Sequence, residues 1–285
     1  MTDVLKGNPS SVIRHPSSVI CNLSSIILAY ISLMNSDKDT KSLYDSEAAQ
    51  WKRTGPILLS DYSARPFVMD LCEPVKGYRL LDIGCGEGYV GRELLKRGAA
   101  HIHGMDISDA MIEKAETEKQ SQQLENLTYE VRDIRGLRDQ EFQVDTVLAM
   151  FLFNYLNAPD TAEVMKKAYS QLKPGGHFIF SVPHPSLAFL KQDKYPFYFE
   201  KRGGYFSGRN ILFPGEIWRR DGVAVGVQCV HKTFEDYFAA MRYAGFTTMP
   251  EVHELHINAD HVALDPEFFT PLIDLPLHVA FKVKK

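Results

Sequence analysis

The sequence predicts an α/β fold: a doubly wound, mostly parallel seven-stranded sheet with an antiparallel edge and an aromatic-rich insertion after the fifth strand. Three observations predict it. Short apolar runs alternate with amphipathic stretches from Arg79 to Val182, and this spacing implies parallel strands joined by right-handed crossovers. A glycine loop, Gly84-Cys85-Gly86-Glu87-Gly88, directly follows the first apolar run. After Pro183 the alternation stops, and residues 184–230 become rich in Tyr, Phe, Gly and Trp.

Taken in order, the stretch from Asp37 to Lys76 is helical in pattern. Tyr44, Ala48, Trp51, Ile57 and Leu58 mark amphipathic turns, and Arg65–Leu71 reads as a helix with Pro66 in its first turn. Arg79–Ile83 is a short apolar run, hence a buried strand. Tyr89–Arg97 is helical and Gly98 ends it. His101–Asp106 alternates as a strand, and Ser108 caps a helix reaching Lys119. Leu127–Arg132 is the third strand. Val144–Phe151 is almost continuously apolar, as a strand buried on both faces must be. Asp160–Leu172 is a helix closed by Lys173-Pro174-Gly175-Gly176, and His177–Val182 is the fifth strand. The insertion is expected to be irregular, with a hairpin at Arg220-Asp221-Gly222. Thr233 caps a further helix carrying Phe234, Phe238, Met241 and Ala244, ended by Gly245. Glu251–Ile257 and Leu277–Lys284 form the antiparallel edge pair.

The chain has 285 residues, 45% hydrophobic and 24% charged, enough for a sizeable core. A net charge of −4 argues against partners bound through clustered phosphates, so no nucleic acid is expected. Lys191, Lys194, Lys201 and Arg202 read as a solvated face. The four cysteines are scattered, without disulfide or metal-ligand spacing, which fits a reducing, cytoplasmic setting and no metal. Residues 1–36 are expected to be a disordered tail or a non-native extension upstream of a start at Met34. A targeting leader is the third reading. The apolar stretch Val19–Met34 is interrupted by Asn22, Ser24, Ser25 and Ser32, and falls short of the roughly 20 residues a bilayer span needs, so no membrane is expected. Residues 37–285 are expected to form one domain, with 184–230 on the substrate side.

The chemistry centres on Leu80-Leu81-Asp82-Ile83-Gly84-Cys85-Gly86-Glu87-Gly88-Tyr89. Glycines let the backbone turn sharply and approach a ligand, and ligands bind at the carboxyl ends of such strands. Gly-x-Gly also occurs in dinucleotide folds. Asp106 ends the second strand, where a carboxylate can accept from ribose hydroxyls. Asp133 follows the third strand, where it can accept from an adenine amino group while the Ile134 N–H meets the ring. The acidic Asp82 before the loop and Glu87 within it disfavour a pyrophosphate, whereas a sulfonium and an α-ammonium tolerate carboxylates. Asp106 and Asp133 are also ordinary helix-capping residues.

Leu80–Pro183 resembles the class I S-adenosylmethionine-dependent methyltransferases of the ubiquinone-methyltransferase-like, small-molecule type. The resemblance rests on Leu-Asp-Ile-Gly-Cys-Gly-Glu-Gly, Met105-Asp106-Ile107-Ser108, Arg132-Asp133-Ile134 and Leu172-Lys173-Pro174-Gly175-Gly176. It implies a Rossmann-like methyltransferase fold with S-adenosyl-L-methionine as cofactor. Asp82, Gly84, Cys85 and Gly86 would meet its methionine part, and Asp106 the ribose. Ile107 would flank the adenine, Asp133 and Ile134 would hold its edge, and Met150 and Phe151 would line the sulfonium. Tyr44, Tyr62 and Arg65 stand where the family often places a lid, with Arg65 or Tyr62 toward the methionine carboxylate.

For the acceptor, His184 follows the fifth strand between two prolines and His231 precedes the capped helix; both are candidate proton acceptors, and both can instead be structural. Tyr205, Trp218 and Phe199 are the insertion aromatics chosen to wall the substrate. The same aromatics can serve as the insertion's own core or as a dimer contact. Arg209, Arg219 and Arg220 are candidates for a substrate carboxylate. The expected partner is a small molecule, and the protein a monomer or homodimer. The competing readings are a nicotinamide-dependent oxidoreductase, a nucleic-acid methyltransferase, and a non-catalytic cofactor-binding module. The second lacks its usual Pro-Pro-Tyr motif, since the sequence after the fourth strand is Phe151-Leu152-Phe153-Asn154-Tyr155.

Overall fold

Strand β1 (Arg79–Ile83) lies at the centre of the sheet, paired in parallel with β2 (His101–Asp106) on one side and β4 (Val144–Met150) on the other. The computed structural model describes residues 40–47, 51 and 55–285. The expectations for residues 1–36, Ala48 and the side chain of Tyr44 lie outside the described residues. The remaining strands are β3 (Leu127–Val131), β5 (Leu172–Pro183), β9 (Glu251–Leu255) and β10 (His278–Lys284), and the full order is β3-β2-β1-β4-β5-β10-β9. The first five run parallel; β10 is antiparallel to both β5 and β9. The expected sheet and its antiparallel edge are therefore present.

Alternation along each strand divides the core into two layers. Leu81, Ile83, Val147, Phe178, Phe180 and Phe281 face helices α6 (Ala158–Gln171) and α7 (Phe234–Ala244), through Val164, Met165, Ala168, Tyr237 and Met241. Leu80, Leu148, Ile179 and Ala280 point the other way, onto α3 (Arg65–Leu71) and α4 (Tyr89–Lys96). Phe180 stacks on Phe281 with ring centroids 4.6 Å apart. Each buried aromatic or aliphatic side chain contributes about 1.5–3 kcal/mol, so the sheet is held by these two layers and not by its edges. Short helices α1 (Thr40–Glu47) and α2 (Leu59–Ser63) precede α3, and α5 (Asp109–Ser121) follows β2 with Ser108 accepting the Met111 N–H at its start, as predicted.

Two local features differ from expectation. Lys173-Pro174-Gly175-Gly176 does not merely end α6: these residues already belong to β5. The β4–β5 register shifts between Val144 and Thr146 to absorb the extra length. The insertion is not irregular. It forms a second sheet, β6 (Phe197–Phe199), β7 (Leu212–Trp218) and β8 (Ala224–Val230), in the order β6-β7-β8 and antiparallel throughout. The predicted turn is there, with Gly222 at φ +79° between β7 and β8. Phe197, Phe199, Phe213 and Tyr195 are mostly the core of this sheet. They pack with Ile257, Leu272, Leu277 and with Phe269 of helix α9 (Pro266–Phe269), which follows α8 (Ala259–Leu264).

The glycine loop turns from β1 into α4 over the ring of Tyr129, from β3. Gly88 stands at φ +77°, and a Cβ there would come within 2.0 Å of the Tyr129 hydroxyl. A Cβ on Gly86, at φ +55°, would meet nothing within 4 Å. Gly88→Ala is therefore expected to cost about 2–3 kcal/mol, from strain plus the clash, and Gly86→Ala less. Thermal denaturation that ranked the two the other way would contradict this packing.

Candidate active site

The carboxyl ends of β1 and β2 bring carboxylates together in a site poor in water. Asp82 is 3% exposed, and its Oδ1 is sealed from solvent with no hydrogen-bond partner among the described residues. Burial, then the charge on Asp106, pushes the Asp82 carboxyl up to about 7; Arg65 opposes the rise. Asp106 accepts the Gly86 N–H at 2.9 Å on one oxygen and the Ser108 N–H at 2.9 Å on the other. A carboxylate has about four lone-pair positions, so Asp106 keeps two for a ligand. Burial raises its pKa as well.

The loop's own donors point inward. Gly84 N–H and Cys85 N–H both donate to the Met105 carbonyl, at 2.8 and 3.0 Å, and Gly88 N–H donates to the Cys85 carbonyl. With Gly86 N–H on Asp106, four amides that could cradle a phosphate are already used. Glu87 is buried in a 2.7 Å ion pair with Arg92. What remains is a pocket edge of negative sign with an open face beyond Gly86.

The rim carries the other predicted residues. Met150 is buried and its sulfur accepts from Ser181 Oγ at 3.3 Å. Phe151 has φ +56°, a strained conformation for an aromatic residue. It holds its ring between the Arg65 guanidinium, 5.5 Å from the centroid, and the His278 ring at 5.1 Å. Arg65 is paired with Asp61 at 2.6 Å. Tyr62 lies farther toward the insertion, where its hydroxyl accepts from Arg220 at 2.6 Å and donates to the Pro56 carbonyl. Ile134 is buried and Ile107 half-buried. Asp133 caps the turn Ile134–Gly136 by accepting the Arg135 N–H, and the Arg135 guanidinium grips the same carboxylate at 2.6 Å. Helix α1 lies beside this edge, with Asp45 accepting from Ser108 Oγ and Lys41 donating to Asp109.

A second, narrow pocket lies past the end of β5. Its wall includes Pro183, His184, Pro185, Ala188, Phe199, Cys229, His231, Lys232 and Tyr237, so both predicted histidines meet there. They are not equivalent. His184 Nδ1 accepts the Ser186 N–H at 3.1 Å, which places its proton on Nε2, donated to Glu254 at 2.8 Å. Both ring nitrogens are thus occupied. His231, 2% exposed, donates Nε2–H to the Tyr205 carbonyl at 2.8 Å, leaving the Nδ1 lone pair. Burial lowers the pKa of both, so both are neutral at pH 7. Of the three aromatics chosen for substrate, Phe199 lines the pocket and Tyr205 packs on His231. Trp218 sits at the far end of β7, paired with Ala224, and does not line it. Arg209, Arg219 and Arg220 are engaged by Asp236, Asp221 and Asp265.

Sequence reasoning missed Lys232, Tyr237 and His278. Lys232 was legible as a lone cation directly after the apolar run Val225–Val230. His278 begins an antiparallel strand, so it stands at the same end of the sheet as the last residues of the parallel strands. There its Nδ1 donates to Ser63 Oγ at 2.8 Å, since that hydroxyl itself donates to the Leu59 carbonyl.

A family model described as a methyltransferase domain matches residues 80–176. A ubiquinone biosynthesis O-methyltransferase from Coxiella burnetii is 29% identical over 154 residues, covering 53% of this chain and 64% of that protein. The chain thus spans just under two thirds of that relative's length. An S-adenosylmethionine-dependent methyltransferase from Mesorhizobium loti superposes with a TM-score of 0.58 at 22% identity, covering 77% of this chain and 96% of that one. Residues 80–176 thus match a methyltransferase domain, and the fold around them is that of S-adenosylmethionine-dependent methyltransferases. Magnesium protoporphyrin IX methyltransferase from Synechocystis, solved with bound S-adenosylhomocysteine, shares the fold with a TM-score of 0.56 at 16% identity, covering 86% and 97%. Among the described residues of this domain, no helix is long and apolar enough to cross a membrane.

The buried carboxyl of Asp82 sets a pH dependence. Its pKa rises from 3.8 to about 7 on folding, so its favourable share of stability is full below pH 4 and is lost as pH climbs toward 7. Asp82→Asn is expected to raise the melting temperature of the ligand-free protein at pH 7.5, with the gain shrinking toward pH 4. A gain that did not change with pH would contradict the protonated carboxyl.

Proposed function

We propose that the protein transfers a methyl group from S-adenosylmethionine to a small-molecule acceptor. The observation that carries this is the partnerless, buried Asp82 Oδ1 beside Asp106, next to a loop whose amides are spent internally. Such an edge repels a pyrophosphate and welcomes an ammonium and a sulfonium, which speaks against a nicotinamide cofactor. The residues present fit the cofactor. Asp82 would accept from its ammonium and Asp106 from its ribose hydroxyls. Asp133 would take the adenine amino group once Arg135 lets go, beside Ile134 and Ile107. Gly84, Cys85 and Gly86 would cover its methionine part. Arg65, paired with Asp61, would turn a guanidinium donor to its carboxylate, with Tyr62 more remote, and Met150 and Phe151 would line the sulfur.

When bound, S-adenosylmethionine supplies a methyl group on a positively charged sulfur. The chain's share is then positioning, worth several kcal/mol when the reactants are held in line. An acceptor arriving past the end of β5 would take the methyl group on its own lone pair, and the pair of the carbon–sulfur bond would leave with the sulfur. If the acceptor atom bears a proton, His231 Nδ1 is the free site to take it, whereas His184 would first have to release Ser186 or Glu254. Phe199 and Tyr205 would exclude water from this pocket, and Trp218 would stabilise the insertion from outside it. The O-methyltransferase relative makes oxygen the acceptor to test first.

Calorimetry with S-adenosylhomocysteine tests the cofactor site. Asp106→Ala is expected to weaken binding at least about tenfold, the loss of one or two charge-assisted hydrogen bonds. Unchanged affinity would reject the assignment. His231→Ala is expected to cut turnover about 100-fold, the scale of a lost general base, with S-adenosylhomocysteine affinity preserved. Wild-type turnover in that variant would remove His231 from the chemistry.

A further inference from the structure

We infer that Arg220, in the turn between β7 and β8, is a positioning residue for the carboxylate of the cofactor: it holds the backbone before α2, which places Asp61 and through it the Arg65 guanidinium. This deepens the methyltransferase reading and rests on it. The links are all direct. The Arg220 N–H donates to the Ile57 carbonyl at 2.9 Å, and its Nη1 donates to the Tyr62 hydroxyl at 2.6 Å. That hydroxyl donates in turn to the Pro56 carbonyl at 2.7 Å. Asp61 Oδ2 accepts the Ile57 and Leu58 N–H groups, both at 2.9 Å, and Oδ1 accepts from Arg65 Nη1 at 2.6 Å. Arg65 reaches the rim of the strand-end site, 5.5 Å from the Phe151 ring centroid.

Arg220 is itself fixed from the far side. Its Nε donates to Asp265 at 3.0 Å, and its guanidinium lies 5.3 Å from the Tyr62 ring centroid and 6.0 Å from that of Phe269. Asp265 in turn accepts the Phe268 N–H at 3.1 Å at the start of α9. A planar guanidinium carries donors in fixed directions, so one side chain holds a carboxylate and a hydroxyl at once. Asp61 is buried, so its carboxylate depends on its protein donors and follows the backbone that carries them. A guanidinium meets a carboxylate through bonds of fixed length and direction, and a displacement of about 1 Å is enough to weaken such a contact. Helix α2 has a second anchor, Ser63 Oγ to His278 Nδ1 at 2.8 Å. Loss of the Arg220 side chain is therefore expected to shift this segment without unfolding it.

The test uses the purified full chain and calorimetry with two ligands that differ only in the carboxylate: S-adenosylhomocysteine and its decarboxylated analogue, S-adenosyl-3-thiopropylamine. Wild type is expected to bind the first at least about tenfold more tightly. Arg220→Gln is expected to lower S-adenosylhomocysteine affinity about fivefold and that of the analogue less than about twofold. A merely structural role would weaken both alike. Arg220→Lys, whose ammonium cannot hold Tyr62 and Asp265 in the same fork, is expected to show the same selectivity with a smaller loss, and it decides if the Gln variant does not fold. Tyr62→Phe removes the hydroxyl that Arg220 grips, and combined with Arg220→Gln it is expected to add no further loss. Equal losses for the two ligands, unchanged affinities, or additive losses in the double variant overturn the inference. A wild type that binds both ligands equally overturns it and leaves the methyltransferase reading standing, whereas a wild type that binds neither overturns both.

Discussion

The site is organised by one constraint: a carboxylate at the end of the central strand is buried where nothing in the described protein satisfies it. Asp82 cannot be moved without moving β1, which pairs with strands on both sides. The loop after it cannot shift to help, because its amides are committed to Met105, Asp106 and Cys85. Tyr129 beneath the loop fixes its height. A rigid scaffold therefore holds this carboxyl in a dry place, where burial raises its pKa to about 7 and Arg65 offsets part of the rise. Preorganisation of this kind keeps the reorganisation energy of binding low.

The second sheet imposes the complementary sign. Its last strand, β8, runs directly into His231 and Lys232, so the hairpin that closes the insertion delivers a neutral base and a buried cation to one pocket.

Most of the main sheet was legible because β1, β4 and the second half of β5 are short, nearly continuous apolar runs, and because glycine punctuates the strand ends. The positions of Asp82, Asp106 and Asp133 at or just past strand ends were legible because those strands end where the apolar runs do. The insertion was not. Pro196 directly precedes β6, and β7 carries Pro214 and Gly215; these argue against strand locally, yet antiparallel pairing of β7 with β6 and β8 overrides that propensity. Its aromatics looked like a substrate wall because sequence cannot tell a lining ring from a core ring. Phe213 is wholly buried, while Phe206 is 81% exposed. His278 went unnoticed because strand direction, and hence which end of β10 meets the ligand side, is a property of topology.

Helix α1 is tied to the strand-end side through Lys41, Asp45, Asp109 and Ser108, and to β8 through Thr40 and Gln228. These described contacts are polar, whereas the two layers against the main sheet are mostly apolar. Dissolved salt weakens attachments of this kind and leaves hydrophobic layers intact. Salt is therefore expected to loosen these contacts of α1 more than it loosens the sheet beneath them.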